Sequence, residues 1–129
     1  MSNGHRAAVK RARNSQSKRA HRFQAEQVNA RISPQKVGLV TTMIKGKRVE
    51  DALNELAFDK RRASSMVRKV LQSAVANASS LAGLDPMDLK VVHAVANSGF
   101  TLKRFHARGR GRGAAIQRQN THITVAVGQ

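Results

Sequence analysis

Residues 89–127 read LKVVHAVANSGFTLKRFHARGRGRGAAIQRQNTHITVAV, and this stretch decides the fold. At one end, Leu89-Lys-Val-Val-His-Ala-Val-Ala96 is rich in β-branched residues and strand-like. At the other, His122-Ile-Thr-Val-Ala-Val127 alternates at period two. Between them lie three Arg-Gly units, Arg108 to Gly113. The pattern predicts one long antiparallel hairpin whose far end is the Arg-Gly segment. An arm over residues 98–117, with limbs of about ten residues at roughly 3.3 Å each, projects on the order of 30 Å beyond any core. A two-stranded arm is only marginally stable in water, so this one makes sense when a partner holds it.

Upstream of the hairpin the period becomes helical. Ser33-Pro34 is a helix start, with Ser able to cap and Pro at a position that needs no N–H. Val37, Val40 and Ile44 then recur at helical spacing, Leu39 and Met43 widen the stripe, and Gly46 ends it. A second helix over about 49–57 places Glu50 and Asp51 in its first turn, with Ala52, Leu53 and Leu56 facing inward. Asp59 caps a third, long helix. Its ladder is Ala63, Val67, Val70, Leu71, Ala74, Val75, Ala78 and Leu81, closed by Gly83. Leu84-Asp85-Pro86 is a turn. Val28, Ala30 and Ile32 alternate with polar neighbours as a short half-buried strand. The fold class is therefore α+β: three helices packed on a small antiparallel sheet, with a long projecting hairpin arm.

Charge then narrows the function. The 129 residues carry 24 Lys+Arg against 7 Asp+Glu, a net charge of +17. Residues 1–49 hold 12 basic residues and one acidic, Glu26; residues 89–129 hold 7 basic and none acidic. The middle stretch, 50–88, is nearly balanced. Both ends are thus built for a polyanion, while the centre resembles an ordinary folded core. Residues 1–24 read as a basic extension, disordered in isolation, ahead of a single domain over 25–129. An organellar transit peptide shares that Arg/Ser-rich, acid-free composition.

The same inventory excludes much chemistry. Without cysteine there is no disulfide, thiol nucleophile or cysteine-type zinc site. No apolar run is long enough to span a bilayer. No two of the five histidines stand at i,i+4, and His93 with His122 across the hairpin would make only two metal ligands. Ser64-Ser65 and Ser79-Ser80 have no nearby base. The Gly-rich segment lacks the ending of a phosphate-binding P-loop. No cofactor site, metal site or catalytic constellation emerges. Arg-Gly alternation instead lets the backbone approach a ribose-phosphate surface while guanidiniums fork onto phosphates. With no Trp or Tyr to stack on splayed bases, structured RNA fits better than a disordered single-strand tract. A small basic DNA-compacting protein is the competing class.

Three ordered stretches carry a resemblance. They are Ala30-Arg-Ile-Ser-Pro-Gln-Lys-Val-Gly-Leu-Val40 with Gly46-Lys-Arg-Val49, then Val70-Leu-Gln-Ser-Ala-Val-Ala-Asn-Ala78. The third is Leu102-Lys-Arg-Phe-His-Ala-Arg-Gly-Arg-Gly-Arg112 with Thr121-His-Ile-Thr-Val125. Together they resemble the bacterial-type large-subunit ribosomal protein twenty-two family, whose arm lines the nascent-peptide exit tunnel. The resemblance implies a non-catalytic protein that binds large-subunit (23S-type) ribosomal RNA and supports subunit assembly. Its implied partners are that RNA, neighbouring ribosomal proteins and the nascent polypeptide, with no membrane and no homo-oligomer. It implies a cytoplasmic, ribosome-bound protein, an organellar ribosome being the alternative. On the arm it implies RNA contacts by Lys103, Arg104, Arg108, Arg110, Arg112 and Arg118, with Gly111 at the tight tip. On the body it implies Arg31, Lys36, Lys45, Lys47 and Arg48. The chain departs from the family pattern at Phe100 and Ala107, where Pro is usual, at Ala115 in place of Arg, and at Gln119-Asn120.

Overall fold

A computed structural model describes residues 23–129. The elements run β1 (Phe23–Ala30), α1 (Pro34–Ile44), α2 (Val49–Phe58), α3 (Arg62–Ala82), a 3₁₀ turn (Pro86–Asp88), β2 (Lys90–Ala107) and β3 (Gly113–Gly128). The basic extension expected over 1–24 lies outside the described residues except for Phe23 and Gln24, which open β1.

The strands form an antiparallel sheet in the order β1-β3-β2, and the three helices pack on it. Val37, Val40 and Ile44 from α1 meet Ala63, Val67, Leu71, Ala74 and Ala78 from α3, and both rows meet Ile123, Val125 and Val127 of β3 in one core. The alanines of α3 keep that helix close to the sheet. Gly83 closes α3 in the left-handed region (φ 63°), its N–H donating to the Ser79 carbonyl at 2.9 Å. The connection from α1 to α2 blunts the outer edge of β2. Gly46 N–H donates to the Val91 carbonyl at 2.8 Å, Val91 N–H to Lys47 at 2.9 Å, and Val49 N–H to Leu89 at 3.0 Å.

Several details depart from the sequence expectations. Leu39 is 65% exposed. Two residues from Val37 is 200° around a helix, which takes Leu39 off the buried stripe. Leu81 is 78% exposed although it continues the α3 ladder. The 21 residues of α3 extend about 31 Å, longer than the roughly 26 Å of the eight-residue β1, and the last turn, Ser79–Ala82, is exposed. Val28 is 60% exposed because the odd-numbered residues of β1, Phe23, Ala25 and Gln27, face inward. A bulge between Gln27 and Ala30, with Asn29 at φ 55°, then resets the alternation and turns Ala30 into the core. Ser33 adopts the extended geometry of an N-cap, but its side chain makes no capping bond. Asp59 acts one turn ahead of α3, accepting from Arg61 N–H at 3.1 Å and from the Ser64 hydroxyl at 2.6 Å.

Candidate RNA interface

The expected projecting hairpin is present. β1 leaves β3 at the Ala30–Thr121 pair. Beyond it β2 and β3 continue alone, paired from Thr101–Gln119 to Ala107–Gly113. Nine residues, 99–107, at about 3.3 Å give an arm of roughly 30 Å. Every residue from Lys103 to Gly113 is exposed.

At the tip, Arg112 N–H donates to the Gly109 carbonyl at 3.4 Å, and Arg108 N–H donates to the Arg112 carbonyl at 2.8 Å. The two central residues, Arg110 and Gly111, lie at φ 59° and 67°. Two consecutive positive φ values are the requirement of a type I′ turn, whose twist matches that of the strands it joins. Gly111 meets this requirement freely and Arg110 does not. The alternating sequence therefore sets three guanidinium-bearing residues, Arg108, Arg110 and Arg112, around a turn five residues long. Just below it the Phe105 ring covers Gly113: a Cβ placed on Gly113 would lie 1.8 Å from that ring.

The arm is anchored where β1 and β2 both bulge against a regular β3. The β1 bulge lies at Gln27–Ala30 and the β2 bulge at Ser98–Thr101. Asn29 N–H donates to His122 Nδ1 at 3.1 Å, and the buried Thr121 hydroxyl donates to the Ile32 carbonyl at 2.5 Å. The second bond fastens the segment entering α1 to the root of the arm. His122 pairs with Asn97 and His93 with Ala126, so the two histidines do not face each other. Among the described residues no cluster of three metal-ligating side chains exists.

That fastening builds a cleft. An open depression of about 610 Å³ at the arm root is lined by Arg31, Lys36, Arg62, Arg104 and Arg118, with Gln117, Gln119 and Asn120 adding polar groups and no carboxylate present. Two expected body residues, Arg31 and Lys36, thus meet two expected arm residues, Arg104 and Arg118. The cations come from five places in the chain: the β1–α1 connection, α1, α3 and each of the two limbs of the arm. Arg62 was missed in the sequence. It stands beside Asp59 at a helix start, where a cation reads as a partner of the capping carboxylate.

The structure does not bring Lys45, Lys47 and Arg48 to this cleft. They lie in the α1–α2 connection, and the 11 residues of α1 separate them from Arg31–Ser33 by about 16 Å. There they form a second basic site beside the start of β2, with Arg48 bridged to Lys90. Lys47 is also held by an ion pair with Glu55 of α2, which leaves Lys45 and Arg48 as the more available cations of that loop. Ser64 has a structural partner: its hydroxyl bond to Asp59, followed by the Arg61 N–H and the Arg61 charge, holds that carboxyl below its ordinary range against an opposing effect of burial. The clustered carboxylates of 50–59 therefore serve helix starts and ion pairs.

The sequence pattern of the family described as Ribosomal protein L22p/L17e matches residues 25–128. The chain is 50% identical over 97 residues to "Large ribosomal subunit protein uL22" of Methylobacterium radiotolerans, covering 75% of this chain and 76% of the relative. It is 46% identical over 97 residues to the protein of the same name from Agrobacterium fabrum, covering 75% of each. With that of Lachnospira eligens it shares 41% identity over 129 residues, 100% of this chain and 99% of the relative. A match spanning the body and both limbs of the arm places the chain, with its three helices on a small antiparallel sheet, in the ribosomal protein L22p/L17e (uL22) family, the structural and non-catalytic proteins of the large ribosomal subunit.

Proposed function

We propose that this protein binds folded large-subunit ribosomal RNA through the arm-root cleft and the Arg-Gly tip, supports subunit assembly, and contributes its arm to the wall of the nascent-peptide exit tunnel. The observation that supports this most is the cleft itself, where five cations from separate chain segments converge without a carboxylate. Like charges held that close destabilise one another unless an anion is present, and a phosphate backbone supplies it. Arg104, Arg118, Arg31 and Lys36 draw phosphates to the root, while Arg108, Arg110 and Arg112 fork onto phosphates at the tip. Lys103 extends the cationic surface along the limb, and Lys45, Lys47 and Arg48 form a separate contact at the far end of α1. A projecting arm and a basic body together bridge RNA segments that are distant from each other.

On this reading the nascent polypeptide and neighbouring ribosomal proteins meet the surfaces that RNA leaves uncovered, and the ribosome concerned is cytoplasmic. The domain proper begins at β1, with the basic extension before it as an additional RNA-binding tail. The test is binding of the full chain to a large-subunit ribosomal RNA transcript and to duplex DNA of equal length, across a salt series. Binding to the transcript should be tighter at every salt concentration, and both should weaken steeply as salt rises. Equal affinity for duplex DNA would favour the compacting protein instead. An affinity indifferent to salt would remove the electrostatic basis of the proposal.

A further inference from the structure

We propose that the exposed N-terminal half of α3 is a second RNA-contact surface, continuous with the arm-root cleft through Arg62, and that one RNA strand runs along both. This rests on the RNA-binding reading above and adds to it a surface none of whose residues that reading uses, Arg62 excepted.

Lys60, Arg61, Arg62, Arg68 and Lys69 line a second open cleft of about 530 Å³. Arg62 lines both clefts, so the two are neighbours with a shared wall. The one carboxylate on this second cleft, Asp59, is engaged by the Ser64 hydroxyl and by Arg61. Among the described residues, Lys60, Arg62, Arg68 and Lys69 form no ion pair.

These cations do not serve the helix that carries them. Lys60, Arg61 and Arg62 stand at its positively polarised start, where like charge is unfavourable, and no acidic residue occupies the first turn. Arg68 and Lys69 have only Ser64, Ser65, Gln72 and Ser73 at four residues' distance, so neither has a helical charge partner. The charge is also confined. Further along, α3 exposes Ser73, Ala76, Ser79 and Ser80, all neutral. A face meant only for solubility would mix both signs along its length. Here the positive part is the half that adjoins the arm-root cleft. From Arg62 to Lys69 the helix advances about 10 Å, the reach of about three phosphates along one strand of a duplex.

The test uses the full chain and a large-subunit ribosomal RNA transcript. Arg68→Gln with Lys69→Gln should weaken binding several-fold and lower the slope of log affinity against log salt by about 1.4–1.8, the value for two lost phosphate contacts. Asn54→Glu with Ser80→Glu, an equal change in net charge at exposed positions off the cleft, should change the slope less. Arg104→Gln with Arg118→Gln tests the arm-root cleft independently. A reduced slope for that pair with a parental slope for the Arg68/Lys69 pair overturns the α3 surface and leaves the proposed function standing. Parental slopes for both overturn the two together. An equal effect from the Asn54/Ser80 pair also overturns the α3 surface, since net charge would then account for it. The chain has no cysteine, so Gln72→Cys and Gln117→Cys each give one attachment point for an iron chelate that cleaves nearby RNA. Cuts from the two positions should fall on neighbouring nucleotides of one strand. No cuts from position 72, or cuts in an unrelated RNA helix, would refute the continuous path.

Discussion

Replacing Gly111 by Val separates the shape of the arm tip from its charge. Gly111 lies at φ 67° with nothing within 4 Å of the position a Cβ would take, so added bulk meets no neighbour in the free protein. The cost is entirely in the backbone. A residue with a Cβ in the left-handed region loses about 1–2 kcal/mol, and a β-branched one sits at or above the upper end. Gly109, two residues earlier, also has open space around it but is not among the residues at positive φ. Gly109→Val therefore adds the same bulk to the same turn without that cost. At about 1.4 kcal/mol per factor of ten, Gly111→Val should lower the closed-to-open ratio of the tip roughly tenfold, and Gly109→Val should leave it nearly unchanged. The readout is the pair of amide signals from Arg108 and Arg112, whose hydrogen bonds close the turn, followed by NMR in the free protein. Gly111→Asn, which tolerates this region, should recover most of the loss. Arg110→Gly should tighten the tip in the free protein by removing the other positive-φ side chain. The reasoning fails if Gly111→Val keeps the parental amide signals, or if Gly109→Val opens the turn equally. In all four variants cooperative unfolding should stay within about 0.5 kcal/mol of the parent, because the core lies elsewhere.

Three further outcomes test the body. Thr121→Val should destabilise by about 1–3 kcal/mol, because the partly buried Ile32 carbonyl loses its donor; a change under about 0.5 kcal/mol in denaturant melts would show that the bond at the arm root is dispensable. Leu71→Ala should cost about 2–5 kcal/mol, while Leu39→Ala and Leu81→Ala should each stay under about 0.5, the contrast being read from the same melts. Asp59 has a folded-state pKa lowered from 3.8, so its contribution to stability is present above that value and is lost as pH falls through the folded one. Stability of the parent measured from about pH 5 downward should fall more than that of Asp59→Asn, and parallel curves would remove the assigned role.

The hairpin and the three helices were legible because each rests on a period that one side of the chain sees. Val37, Val40 and Ile44 repeat at helical spacing, and Ile123, Val125 and Val127 at period two. The misplacements at Val28 and Leu81 have causes that lie outside such local patterns. Val28 faces out because one extra residue in a bulge reverses the strand's alternation, and the only local trace is Asn29, a residue that tolerates positive φ. Leu81 is exposed because α3 outruns the sheet, which depends on the length of a different element.

The same distinction applies to the candidate site. Arg-Gly alternation marks the tip in the sequence alone. The arm-root cleft could not be read that way, since Arg31, Arg104 and Arg118 are brought together by a strand pairing and by the Thr121–Ile32 bond, and Arg62 joins them through the packing of α3 on the sheet. Lys45, Lys47 and Arg48 look adjacent to Lys36 in the sequence, yet the rigid length of α1 parts them. Nothing in the local sequence marks Arg68 and Lys69, and the shared position of Arg62 shows which cleft they adjoin.

Sedimentation with isolated large ribosomal subunits tests the central claim most directly. The full chain, added to subunits that lack this protein and centrifuged through a density gradient after a high-salt wash, should travel with the large-subunit peak in a one-to-one ratio. A chain carrying Arg104→Gln, Arg118→Gln, Arg31→Gln and Lys36→Gln should wash off at lower salt than the parent. A parent chain left at the top of the gradient, or spread evenly over large and small subunits, would contradict a specific seat on large-subunit RNA.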